Sequence, residues 1–234
     1  MHQVQSDVWE TETERPFPGL TTHAYLLIRK EGNVLFYNTG NRADIEAFEA
    51  LGGVAYHFLS HRDELGPSLN WIADRYGSRL GGHAAERDDF ADYRAPDIVF
   101  HTRETLLDGI DVIPVPGHSP GSTCFLVRSP TGKRYLFTGD TLYRTREGKW
   151  RAGFIPGHSS AEDARQMVQS LESLRALAPD VVFGSAFGGS LGHEEMTSTQ
   201  WQDYLDRALA DLRMKLGTLS RDQAATTTDG GPPA

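Results

Sequence analysis

The sequence predicts an α/β fold, one large domain with helices outside two sheets, and three observations predict it. Strand-type segments come first as a hairpin and then alternate with helix-type segments. Two long stretches of the C-terminal half carry apolar residues at helical spacing, whereas the middle of the chain has short apolar runs of strand length. The chain of 234 residues, 38% of them hydrophobic, suffices for one well-buried core.

In order, the apolar stretches around Lys30-Glu31-Gly32-Asn33 read as a β-hairpin from His23 to Tyr37. Arg42 to Leu51 places Ile45, Phe48 and Leu51 on one helical side, and Gly52-Gly53 stops it. A strand from Val54 to Leu59 delivers Ser60 and His61 at its C-terminal end, and Pro67 opens a helix through Trp71 and Ile72 that closes near Gly77. Short strands follow at Arg79–Leu80, Ile98–Phe100, Ile110–Val115, Thr123–Val127 and Arg134–Phe137. Ser159 and Glu162 are spaced as a capping box ahead of Ala164, Met167, Val168, Leu171, Leu174 and Leu177, which predicts a helix. Asp180 to Phe183 reads as a buried strand, and Trp201, Leu205, Leu209, Leu212 and Leu216 mark a last amphipathic helix. Residues 1–18 are expected to be an N-terminal extension, 19–218 a single domain, and 219–234, which lack core-forming side chains, a disordered tail.

Composition narrows the function classes. With 32 acidic against 23 basic side chains the formal charge is −9, and no run of Lys and Arg stands out, which argues against a nucleic-acid groove. No apolar stretch approaches the length of a membrane span, and the first residues lack the basic flank and apolar core of a signal peptide, so the cytoplasm is the expected compartment. The single cysteine, Cys124, excludes an internal disulfide and thiolate-rich metal sites, leaving His, Asp and Glu as ligands for any metal.

Three segments concentrate chemistry: SHRDELG at Ser60–Gly66, PGHSPGS at Pro116–Ser122 and FTGD at Phe137–Asp140. In this order the chain resembles the metallo-β-lactamase fold superfamily, which includes glyoxalase II and lactonases, from the hairpin at His23 to the helix ending near Gly217. The resemblance implies an αββα sandwich, two mixed sheets flanked by helices, with a hydrolytic metal site at the strand ends. In that family a strand end carries His-x-His-x-Asp-His, a later loop Gly-His-Ser/Thr-Pro-Gly-Ser, another strand end Gly-Asp, and a final strand Gly-His.

This chain departs from the pattern at several positions. Asp63 stands at the second histidine, Leu65 at the aspartate, Gly66 at the adjacent histidine, and Ser185, after Gly184, where the final histidine is expected. Asn38-Thr39-Gly40 replaces the usual Asp-Thr-Gly. Sorted by site, the losses fall on one side: the first site maps to His61, Asp63 and His118, while the second keeps only Asp140. The resemblance therefore implies one divalent metal held by His61, Asp63, His118 and Asp140, with zinc first and iron or manganese acceptable. Glu64 and Asp140 are the catalytic candidates, Glu64 as a general base in place of the aspartate lost at Leu65.

Plainer readings stand beside these. His61 and His118 also fit hydrogen-bonded loop histidines, Asp140 a loop cap, and Asp63 an ion pair with Arg62 or Arg144. His158 and His193 are candidates to replace the missing ligands, yet each lies beside a helix start or loop. His83 fits a strand end packed on a helix, and Cys124 fits a small core thiol better than a nucleophile. The leading expectation is a hydrolase of an ester, thioester or lactone-type small molecule. The alternative is a catalytically silent member of the fold that binds a ligand or a protein. A homodimer is compatible with the helix surfaces, that of the Trp201 helix included.

Overall fold

Apolar runs in the middle of the chain face two ways, and this sets the layers. In Thr123–Arg128, Phe125 and Val127 point into one core while Cys124 and Leu126 point into another; Tyr135 and Phe137 alternate with Leu136, and Val181 and Phe183 with Val182. A strand buried on both faces reads as a continuous apolar run rather than an alternating one. The computed structural model describes the backbone of residues 1–228 and the side chains of residues 1–219.

In chain order the strands are β1 (His2–Gln5), β2 (Val8–Glu10), β3 (Glu14–Phe17), β4 (Leu20–Thr22), β5 (Tyr25–Leu27), β6 (Val34–Phe36), β7 (Tyr56–Phe58), β8 (Arg79–His83), β9 (Ile98–Phe100), β10 (Glu104–Leu106), β11 (Ile110–Pro114), β12 (Thr123–Arg128), β13 (Arg134–Gly139), β14 (Leu142–Arg144), β15 (Trp150–Ala152), β16 (Val181–Gly184), β17 (Ala186–Phe187) and β18 (His193–Glu195). The helices are α1 (Arg42–Ala47), α2 (Ser68–Tyr76), α3 (Arg87–Phe90), α4 (Ala161–Leu174) and α5 (Ser198–Thr228). One mixed sheet has the order β1-β2-β5-β6-β7-β8-β9 and a second β10-β11-β12-β13-β16-β18. Between them lies a core rich in aromatic rings: Phe137 stacks on Phe36 at 4.0 Å and on Phe183 at 4.7 Å. Leu69 of α2 and Phe90 of α3 pack with Leu59 and Leu80 on the outer side of the first sheet. Met167 and Leu171 of α4, with Trp201, Leu205 and Leu209 of α5, cover the second. The result is the expected αββα sandwich.

The strand ends meet because Tyr37 bridges the sheets. Its hydroxyl donates to the Phe183 carbonyl at 2.7 Å and accepts from Gly139 N at 2.9 Å, while its own carbonyl accepts from His57 Nε2 at 2.7 Å.

Several expectations are revised. Residues 1–18 are not an appendage: β1 and β2 join the first sheet through the β2–β5 pairing, Val8↔Leu27 to Glu10↔Tyr25, and β3 enters a further small sheet. That five-stranded sheet, β15-β14-β17-β4-β3, forms where the chain breaks after β13 and β16 and then pairs again; its strands of two to four residues are too short to show a period. The capping box is built one residue later than expected. The Ser160 side chain accepts from Asp163 N, and Asp163 accepts from Ser160 N. Trp201 is a core residue, 1% exposed, with Nε1 donating to the Leu174 carbonyl. Helix α5 continues to Thr228 through most of the stretch expected as a tail, whose last residues, 229–234, lie outside the described residues. No described helix is long and apolar enough to cross a membrane.

Candidate metal centre

His61 follows β7 and opens a 3-10 turn, Arg62–Glu64, that turns Asp63 back over it. His118 lies in the loop between β11 and β12, and Asp140 follows the end of β13. Two glycines let these loops close on one another. Gly139 has φ 54, and a Cβ there would lie 2.1 Å from Ser60 Oγ; a Cβ at Gly153 would lie 1.8 Å from the Asp140 carbonyl.

The back nitrogen of each histidine is fixed. His118 Nδ1 donates to the Gly153 carbonyl at 2.7 Å. His61 Nδ1 lies 2.9 Å from Ser60 Oγ and 3.2 Å from Glu64 Oε1. The Glu64 carboxylate is committed locally: Ser60 N donates to Oε2 at 2.8 Å and Ser60 Oγ to Oε1 at 2.5 Å. Glu64 therefore sits on the Nδ1 side of His61, away from the front nitrogen.

The front nitrogens, His61 Nε2 and His118 Nε2, are buried and have no hydrogen-bond partner among the described residues, and the rings meet edge-on with centroids 4.8 Å apart. Asp63 Oδ2 lies 3.8 Å from His61 Nε2 and 3.4 Å from His118 Nε2; Asp140 Oδ2 lies 3.5 and 3.8 Å from the same atoms. Asp140 is held by its other oxygen, which accepts from Ala186 N at 2.9 Å. Ligand atoms of His61, Asp63 and His118 all lie within 4.8 Å of one another. Donors at about 2 Å from a tetrahedral ion are separated by roughly 3.3 Å, so the two imidazoles and the Asp63 carboxylate fit one divalent cation after small side-chain movements, while Asp140 stands outside that mutual set and faces both Nε2 atoms.

Charge accumulates here. Burial alone would pull the His61 pKa down, but Asp140 and Glu64 outweigh it and hold it well above the ordinary imidazole value. The adjacent His118 imidazole holds Asp63 down at about 2, against its partial burial and with help from His61. Burial pushes Asp140 up, yet His61 and His118 bring it below the ordinary carboxylate value. Clustered imidazoles and carboxylates that perturb one another mark a functional site.

The positions of the lost ligands line the same cavity as Leu65, Gly66 and Ser185. Neither His158, which is exposed, nor His193, which pairs with Glu10 Oε2 at 2.9 Å, lines it. Cys124 is a core thiol whose pKa burial pushes up to about 12. His83 accepts from Ala85 N and caps a 3-10 turn. The cavity has a volume of about 920 Å³, and one wall is the β3–β4 hairpin, which brings Arg15, Phe17 and Leu20 to the site. Sequence reasoning missed that wall, although Pro18-Gly19 between Phe17 and Leu20 is a turn signal that marks it.

Residues 46–185 match the metallo-beta-lactamase superfamily. A hydroxyacylglutathione hydrolase of Acidiphilium cryptum (strain JF-5) is 26% identical over 187 residues, 78% of this chain and 69% of that protein. Among solved structures, a metallo-beta-lactamase family protein of Thermus thermophilus superposes with a TM-score of 0.67 at 16% identity, over 92% of this chain and 82% of its own. A metallo-beta-lactamase from Pontibacter korlensis gives 0.67 at 18% identity, over 90% and 97%. A Cronobacter sakazakii metallo-beta-lactamase with a HARLDQ motif gives 0.65 at 15%, over 90% and 100%. The structures share the fold, and the matched stretch spans more than half of the chain and holds His61, Asp63, His118 and Asp140. The chain therefore belongs to the metallo-beta-lactamase superfamily.

Proposed function

We propose that this protein is a metal-dependent hydrolase with one divalent ion, zinc in the first instance, acting on an ester, thioester or lactone of a small molecule. The observation that carries the reading is the pair of buried, unpartnered Nε2 atoms of His61 and His118, faced by Asp63 and Asp140 carboxylates. A buried polar atom without a partner is costly, and a pair aimed at one point is what a cation relieves.

The roles divide by position. His61 and His118 hold the ion with Nδ1 fixed behind each ring, and Asp63 and Asp140 supply the compensating charge. A divalent ion here supplies Lewis acidity to polarise a carbonyl and acidify water. Asp140 lines the cavity and directs Oδ2 to the front, so it is the carboxylate assigned to accept the proton of an attacking water. Leu65 does not take part in proton transfer, and Glu64 serves His61. The hydroxyacylglutathione hydrolase likeness supports thioesters among the substrates to be screened first.

Elemental analysis of protein purified without chelators tests the site. About one equivalent of zinc, iron or manganese that is lost in His118→Ala is the expected result. Two equivalents would overturn the mononuclear assignment. Protein that neither carries nor takes up metal would overturn the hydrolase reading.

A further inference from the structure

Arg15 is an exposed residue of the β3–β4 hairpin that lines the cavity. Among the residues lining the catalytic cavity it is the only arginine or lysine, and the other charged side chains there, besides the histidines, are the carboxylates of Glu14, Asp63, Glu64 and Asp140. Its guanidinium makes no hydrogen bond or ion pair among the described residues. Its neighbour Glu14 is not its partner: Oε2 accepts from Thr39 Oγ1 at 2.6 Å and Oε1 from Gly40 N at 3.0 Å. Those bonds tie the base of β3 to the loop after β6, and β4 pairs with β17. The hairpin is thus held at both edges, and Arg15 is carried at the cavity rim on an anchored support.

Beside it lie large apolar side chains that are exposed or half-buried. Phe17 is 66% exposed and Ile155 43% exposed, and both line the cavity with Leu20. Exposed apolar groups gathered at a cavity with charged side chains mark a ligand surface more than a solvated one. A guanidinium presents a rigid fork of donors that matches a carboxylate. Arg15 is the one guanidinium that a carboxylate at this rim could pair with.

We propose that Arg15 is a specificity-determining residue that selects acyl substrates carrying a free carboxylate on an apolar body, the carboxylate pairing with Arg15 and the body resting on Phe17, Leu20 and Ile155. This rests on the hydrolase reading above and names its substrate class.

Two measurements on the metal-loaded protein test it. Calorimetry with phenylbutyrate and its neutral analogue phenylbutanol reads recognition without turnover. The expected result is a preference of about tenfold for the carboxylate that Arg15→Gln abolishes, Arg15→Lys keeps in part, and Phe17→Ala leaves in place while weakening both ligands. Steady-state hydrolysis of the nitrophenyl hemisuccinate and the nitrophenyl butyrate esters then reads selectivity. The ratio of their kcat/KM values is expected to fall about tenfold in Arg15→Gln, chiefly through KM. No preference in the wild type, or one that survives Arg15→Gln in both measurements, overturns the assignment. An Arg15-dependent binding preference without turnover of any ester would sink the hydrolase reading and leave the carboxylate subsite standing. Turnover with no Arg15-dependent selectivity would do the reverse.

Discussion

Two clusters of histidine and carboxylate lie in this molecule, and they differ in where the nitrogens point. At the candidate metal centre His61 and His118 direct Nε2 atoms that have no hydrogen-bond partner among the described residues toward Asp63, with Asp140 facing the same atoms. At the other cluster, three histidines close on a single buried carboxylate: Glu10 is 1% exposed, and its oxygens lie 3.1 Å from His2 Nε2, 3.3 Å from His23 Nε2 and 2.9 Å from His193 Nδ1. Composition is similar and the consequence opposite. In the second cluster the imidazoles face the carboxylate they satisfy, so it joins β1, β2, β18 and the start of β5 and leaves no gathered point for a cation. His23 Nδ1 is also buried without a hydrogen-bond partner among the described residues, but it joins no group of metal-ligating atoms, so what separates the clusters is convergence of the left-over nitrogens and not the number of histidines that meet.

The largest effect follows from exchanging one histidine in each cluster. His118→Ala removes a ligand from the centre and is expected to abolish metal retention and lower ester turnover by about a thousandfold, with the fold intact by circular dichroism. His193→Ala is expected to leave metal content at wild-type level. Equal metal loss in the two variants, read by elemental analysis, would erase the distinction.

A second effect separates both clusters from a histidine with no carboxylate at all. His57 is 1% exposed, and burial lowers its pKa to about 4 although its bond to the Tyr37 carbonyl favours the charged form. Because the folded value lies below the unfolded one, the unfolded chain binds the extra proton first. Stability is full above the ordinary imidazole value and falls as pH drops toward the folded value. The loss from this group is about 3 kcal/mol between about pH 7 and about pH 4. Urea unfolding of wild type and His57→Gln across that range should show a shallower pH dependence in the variant.

How legible each part was in the sequence follows from the same physics. The hairpin, the strand before His61 and helix α4 were visible because apolar period and turn residues agree over many positions. The third sheet was not, since strands such as Ala186–Phe187 are set by pairing with β4 and β14 and carry no period of their own. At the centre, motif order picked out His61, Asp63, His118 and Asp140, yet nothing in SHRDELG says which way Glu64 turns. Its direction comes from Ser60, which donates to it through both backbone and side chain and lies so near Gly139 that a Cβ there would be 2.1 Å from its Oγ. The Glu10 cluster was missed because its members are spread from His2 to His193 and meet only when the strands that carry them are brought together by folding.

That orientation of Glu64 gives the next test. Glu64→Gln keeps the volume and removes the charge behind His61 Nδ1, so metal affinity is expected to weaken by about tenfold to a hundredfold while ligand number stays the same. Competition with a chelator measures it. Unchanged affinity together with a large fall in turnover would return Glu64 to the base role that its sequence position suggests.

The smallest effect lies in the closed cluster. Burial raises the Glu10 pKa, but the hydrogen bond from His193 and the charges of His23, His193 and His2 outweigh it, so the folded value lies below the ordinary one. A carboxylate depressed in this way contributes stability above its unfolded pKa, and the contribution is lost as pH falls through the folded value. His193→Ala removes the partner that is hydrogen-bonded to Oε2 and leaves a buried carboxylate to His2 and His23. The expected cost is about 1–2 kcal/mol near neutral pH, and the gap to wild type should narrow in acid as Glu10 is protonated in both proteins. A gap that stays constant through that range would show that His193 acts by packing against Tyr25 and Phe183, whose rings it contacts, and not by charge.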